Sequence, residues 1–182
     1  MAHTTERITA EQLALMPDNG KRCELVDGVL HMMSPAGGRH GRIAGKLFLR
    51  VGNHAEQRGL GETFAAETGF LLQRNPDTVR AADVSFVSHD KLRDLADYPG
   101  FLPLAPDLVA EVVSPNDESS KVEAKAMGWI EAGVGVVLVV DPQTRSIREY
   151  RAPENIRVYR QGAIDMGDVL PDFKLDVGEL FQ

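Results

Sequence analysis

DLVAEVVSPN, residues 107–116, carries one carboxylate where an apolar strand would have none. The run Leu108-Val109-Ala110-Glu111-Val112-Val113 has the continuous apolar character of a strand covered on both faces. A buried, ionised carboxylate is costly unless a cation or a metal offsets its lost hydration. Glu111 therefore either lies on a solvated face or belongs to a site that uses negative charge.

The flanking sequence sets this strand in a mixed α/β pattern. Ser114-Pro115-Asn116-Asp117 makes a turn, a helix follows over about 118–132, and VGVVLVVDP (134–142) is the most apolar strand, expected at the centre of the sheet. A helix crossing between two strands makes them parallel neighbours. Upstream, Thr9 caps a short helix that Pro17 stops, with Gln12 as the N3 partner. CELVDGVLHMMSP (23–35) reads as a hairpin turning at Asp27-Gly28, and a helix over 39–58 ends at Gly59 and Gly61. GETFAAETGFLLQ and ADVSFVS supply further strands, with a turn at Asn75-Pro76-Asp77 between them. A loop with Pro99, Gly100 and Pro103 precedes the Glu111 strand; segments 147–150 and 156–159 pair antiparallel, and VLPDFKLDVGELFQ closes the fold. With no repeat or linker, the chain reads as one domain over 1–182.

Composition narrows the function. The 182 residues include 27 acidic and 20 basic side chains, a net charge of −7, which argues against a wholly basic nucleic-acid binder but leaves room for a basic patch. No apolar run approaches the ~18 residues of a membrane span, and MAHTTERITAEQL has no signal-peptide core, so a cytoplasmic location is expected. The single cysteine, Cys23, excludes an intrachain disulfide and a multi-cysteine zinc site, and is expected to be a buried core thiol.

Asp83 opens the strand AADVSFV. Carboxylates offered by two neighbouring strands can hold a hard divalent cation, which takes oxygen ligands, polarises a phosphodiester and activates water. A facing solvent is the competing reading for Asp83. Phosphodiester chemistry also calls for a cation near the phosphate or the attacking water. Val113 occupies the position two after Glu111, so the helix must supply it: Lys121 and Lys125 share a face, with Trp129 one turn beyond Lys125. Glu118 and Glu123 keep open the reading of an ordinary solvated face. His40 can orient a phosphate or the attacking water, because a neutral imidazole accepts a proton near pH 7; otherwise it is a helix N-terminal residue bonded locally. His3, His31, His54 and His89 show no metal-ligand spacing.

These residues resemble the Uma2 family, also called DUF820, of the PD-(D/E)XK nuclease superfamily. ELVDG, MSP followed by His40, LVAEVVSPND, KAMGWIEAG, VVDP and VLPDF…ELF occur in the family's order between Ile8 and Phe181. The resemblance implies a restriction-endonuclease-like core, a central mixed β-sheet flanked by helices, here with an N-terminal β-hairpin. It implies Asp83 and Glu111 as the motif acids, Lys125 as the lysine displaced onto the next helix, and Glu24 as a further acid completing a Mg²⁺ site that Mn²⁺ can also fill. The sequence departs at Ala82, where the superfamily has proline, and at Val113, where it has lysine.

On the 39–58 helix, Arg39, Arg42, Lys46, Arg50 and His54 fall within roughly a third of the circumference at 100° per residue, a stripe that can contact DNA phosphates or simply face water. Gly45-Lys46 is no phosphate loop, since His40 and Leu47 stand where that motif needs glycine and a hydroxyl. Ser114 lacks a nucleophile elbow. The reading is a Mg²⁺-dependent endonuclease acting on DNA; the alternative is an inactive nuclease-fold binding or assembly module. A cut across duplex DNA suits a homodimer.

Overall fold

The computed structural model describes residues 6–17, 20–95 and 97–182; the N-terminal segment read above for targeting signals, with His3, lies partly outside them. Helix α1 (Ala10–Ala14) starts behind Thr9, whose hydroxyl accepts from the Gln12 N–H while the Gln12 side chain accepts from the Thr9 N–H. Strands β1 (Arg22–Val26) and β2 (Val29–Met33) form the expected hairpin. Asp27 and Gly28 both take positive φ, 49° and 79°, which a tight two-residue hairpin turn requires. Helix α2 (Gly38–Arg58) stops at Gly59, in the left-handed conformation with φ 60°.

The next stretch folds into four strands: β3 (Gly61–Ala65), β4 (Gly69–Gln73), β5 (Thr78–Ala81) and β6 (Val84–Ser88). Gly61 lets β3 lie close on β6, because a Cβ there would stand 2.1 Å from the Val87 carbonyl oxygen. A short helix α3 (His89–Leu92) follows, then β7 (Leu108–Val112), α4 (Ser119–Glu131) and β8 (Val136–Asp141). The hairpin β9 (Ser146–Ala152) and β10 (Asn155–Tyr159) precedes a closing unit of β11 (Ala163–Asp165), β12 (Lys174–Asp176) and α5 (Val177–Leu180).

The larger sheet runs β10-β9-β8-β7-β6-β3, with β7 and β8 parallel across α4 and its other neighbours antiparallel. The smaller runs β2-β1-β5-β4. The chain passes from one sheet to the other between β5 and β6, across Ala82 and Asp83, so Asp83 stands at the seam.

Alternation along β7 divides the core. Leu108, Ala110 and Val112 pack with Val84, Phe86, Leu138 and the Ile43, Leu47 and Val51 stripe of α2, a layer that the closing unit also covers. Val109 packs on the other face with Val137, Val139 and the fully buried Trp129 of α4. Glu111 shares that second face. Cys23 is half-buried rather than a core thiol, its Sγ 3.6 Å from the Lys21 carbonyl; it lies on the Leu25 face of β1, at the edge of the small cluster that Leu25 anchors.

Candidate active site at the seam of the two sheets

Asp83 is 5% exposed and meets three donors. Its Oδ1 lies 3.2 Å from Arg22 Nη1, its Oδ2 lies 3.0 Å from His40 Nε2, and the Val112 N–H donates to Oδ2 at 2.8 Å. The donors come from β1, the first turn of α2 and the end of β7, which fixes the carboxylate from both sheets and one helix. Burial works to raise its pKa, but the His40 hydrogen bond and charge, the Val112 N–H and the Lys125 charge together hold it below the ordinary aspartate value.

Glu111 is buried and points at α4. Lys125 Nζ lies 2.9 Å from its carboxylate, and the Trp129 indole N–H donates to Oε1 at 2.8 Å. Lysine and tryptophan are four apart on one helix face, so a single helix grips the carboxylate twice. Burial pushes the Glu111 pKa up to about 7; Lys125 opposes the shift while Asp83 and Glu24 reinforce it. For Lys125, burial alone would lower the pKa, yet attraction to Glu111 and Glu24 pushes it up to about 12. Lys121 instead pairs with Glu118 at 2.8 Å on the exposed side.

Glu24 completes the group. Its Oε1 lies 2.8 Å from Lys125 Nζ and accepts the Ala81 N–H at 3.2 Å, while its Oε2 lies 3.5 Å from Arg80 Nη1. Lys125 thus ties β1 of the smaller sheet to β7 of the larger. The carboxylates Glu24, Asp83 and Glu111 are matched by the cations Arg22, Arg80 and Lys125, with His40 alongside.

The five residues singled out from the sequence fall into two groups, His40 with Asp83, and Glu24 and Glu111 around Lys125, near enough that Lys125 and Asp83 act through their charge on the other group's acids. Three others were not foreseen: Arg22, Arg80 and the indole of Trp129. A period-two reading places Arg22 on the Glu24 face of β1, and the helical period places Trp129 under Lys125. Arg80 depends on pairing between distant strands and left no local mark.

The donor chemistry suits a hard cation, since carboxylate oxygens are what Mg²⁺ takes. Yet among the described residues no three His, Cys, Asp or Glu side chains gather as ligands around one point. Arginine, histidine and lysine occupy the directions from which a metal would be held. The donor type thus suits a divalent ion, while the carboxylates as they stand are paired to these cations.

A cleft of about 460 Å³ opens over Arg22, His40 and Asp83 and is walled by Gly41, Ala44 and Phe48 of α2. The basic stripe lies on another flank of α2. Lys46 donates to the Gln182 carbonyl and Arg50 Nη2 lies 3.4 Å from Glu179, both in the closing segment. His54 Nε2 lies 2.7 Å from the Pro171 carbonyl oxygen. Arg39 and Arg42 are exposed. No helix among the described residues is long and apolar enough to cross a membrane.

A mixed sheet flanked by helices, with acids converging where strands from two sheets meet, defines a restriction-endonuclease-like fold. Over 96% of this chain and 97% of the other, the structure superposes with a TM-score of 0.82 on a crystal structure from Anabaena variabilis described as a putative nuclease belonging to DUF820, at 17% sequence identity. The family described as "Uma2: Putative restriction endonuclease" matches residues 10–178, and the chain belongs to that family. No curated protein matches it.

Proposed function

We propose that the protein is a metal-dependent endonuclease that hydrolyses phosphodiester bonds of DNA. The observation that carries this reading is Glu111: a carboxylate buried in a strand, held by Lys125 and Trp129 beside the Asp83–His40 pair. Glu24, Asp83 and Glu111 would hold Mg²⁺, or Mn²⁺ in its place, and the bound ion supplies Lewis acidity toward the phosphodiester. His40 lines the cleft and is oriented by Asp83, which suits it to take or return a proton at its imidazole. Lys125 stabilises negative charge on the phosphate or on the attacking water. Arg39 and Arg42 are the exposed cations of α2 that would meet DNA phosphates, and a two-fold dimer would present two clefts to a duplex.

A second reading is an inactive nuclease-fold module. Its support is that each of the three carboxylates already has an internal cation, as in a structural ion-pair network.

Cleavage of plasmid and single-stranded DNA decides between them. With Mg²⁺ or Mn²⁺ the wild type should cut, EDTA should stop it, and Glu111→Gln and Lys125→Ala should lose at least about a hundredfold in rate while folded. DNA binding without cutting, across metals and substrate forms, would establish the module instead. Cutting that survives Glu111→Gln would come from another site or a contaminant.

A further inference from the structure

Phe48 is an aromatic side chain on the wrong side of its helix. The apolar stripe of α2, Ile43, Leu47, Val51 and Ala55, is buried, whereas Phe48 is 37% exposed and joins none of the hydrophobic clusters among the described residues. It lines the cleft instead, in one row with His40 and Ala44 at four-residue spacing. Side chains on a helix lean toward its N-terminus, so the ring covers the turn that holds Ala44 and Gly45. Gly41 and Gly45 leave the floor beside it bare. Neither has a packing reason to be glycine, since a Cβ at either would meet nothing within 4 Å, and glycine is the poorest helix former after proline. An exposed ring over bare backbone suits a flat π-system.

The same cleft seeks an anion where α2 begins. No side chain caps that helix at Gly37, which leaves its first N–H groups open to a phosphate. Arg22 gives Nη1 to Asp83, but its Nε is buried with no partner, a cost that a phosphate oxygen would remove. Of the two acids on the lining, Asp83 is already paired to Arg22 and His40, and Glu67 is exposed to water. A volume of about 460 Å³ lies within the range of small-molecule sites.

We propose that this cleft is a subsite for an unpaired nucleotide of single-stranded DNA, its base stacked on Phe48 and its phosphate at Arg22, His40 and the start of α2. This deepens the nuclease reading above and rests on it for the choice of DNA. An intact duplex keeps its base faces in the stack and offers Phe48 nothing, so the subsite selects single strands or nucleotides drawn out of a helix.

Fluorescence anisotropy in EDTA, where no metal is present to support cutting, tests this on the full chain. The probes are a labelled single-stranded oligodeoxynucleotide and an abasic deoxyribose-phosphate strand of the same length. The wild type should bind the first at least about fivefold more tightly, the contribution of one base–aromatic stack. Phe48→Ala should close that gap and Phe48→Tyr should keep it. Phe48→Trp places an indole in the cleft, the other tryptophan being completely buried, and its emission should fall with the single strand but not with the abasic strand or a duplex. A wild type that holds both strands alike, or neither, would overturn the proposal, as would a gap that survives Phe48→Ala. Should Phe48→Ala not fold, the wild-type gap and the Phe48→Trp emission still decide, and unchanged emission would overturn it. Base-dependent binding in a protein that cuts nothing with Mg²⁺ or Mn²⁺ would keep the subsite and remove the nuclease reading. Glu111-dependent cutting without base-dependent binding would do the reverse.

Discussion

The Trp129 indole donates to Glu111 Oε1 at 2.8 Å while Lys125, one turn earlier on the same helix, holds that carboxylate at 2.9 Å. The indole is a fixed donor on a rigid ring; the ammonium ends a four-carbon stem with several rotatable bonds. Trp129→Phe keeps most of the apolar contact and deletes the fixed donor, and the loss of a buried bond to a charged group costs roughly 1.5–3 kcal/mol. Urea unfolding should show this drop, and the Glu111 titration should move further up. A variant as stable as the wild type would mean that the bond contributes nothing net.

Glu111 should titrate near 7 instead of the ordinary 4.5, as read by ¹³C NMR of its carboxyl. The sign follows from linkage. A folded-state pKa above the unfolded value means that the fold favours the protonated acid, so this contribution is fully present below 4.5 and is lost as pH rises through about 7. Between pH 5 and 8 the wild type should therefore lose up to about 3 kcal/mol relative to Glu111→Gln. Parallel stability curves for the two proteins would contradict the upward shift.

Asp83 behaves oppositely. Its pKa is lowered, so its contribution is present above 3.8 and disappears as pH falls through the lowered folded value. Asp83→Ala should cost about 3–5 kcal/mol near neutral pH, because it leaves Arg22 and His40 without their carboxylate. Chemical denaturation measures the cost, and a loss below about 1 kcal/mol would show that both cations find other partners or water.

Much of this arrangement was legible locally, and what was not is long-range. A carboxylate in an apolar strand, Asp27-Gly28 in a turn and a helix between two apolar strands each announce themselves within a few residues. The parallel β7–β8 pair followed from the last of these, and the restriction-endonuclease-like core from the family resemblance that the ordered motifs carry. The division into two sheets did not, because Ala81-Ala82-Asp83 holds no glycine or proline to mark a change of sheet. Arg80 was hidden for the same reason, since its place beside Glu24 exists only once β5 lies against β1. The basic stripe on α2 was visible, but the sequence could not show that the closing segment takes up Lys46 and Arg50.

That last point has a measurable form. If α2 meets DNA, Arg39→Ala with Arg42→Ala should make the dependence of log binding constant on log salt shallower by about 1.4–1.8, the release expected for two phosphate contacts. Lys46→Ala should leave that slope alone and loosen the chain end at Gln182 instead. Fluorescence anisotropy with a labelled oligonucleotide across salt concentrations separates the two, and an equal change for Lys46→Ala would return the whole stripe to the DNA face.

The seam bears on how such a protein is made. Glu24 emerges early from the ribosome, Glu111 long after, and Lys125 only once α4 has been synthesised, while β1 and β5 must also have docked beside β7. A nascent or locally opened chain thus holds scattered acids and no assembled centre. Any hydrolytic chemistry built on this seam would be silent until α4 had been synthesised and had packed against strands of both sheets.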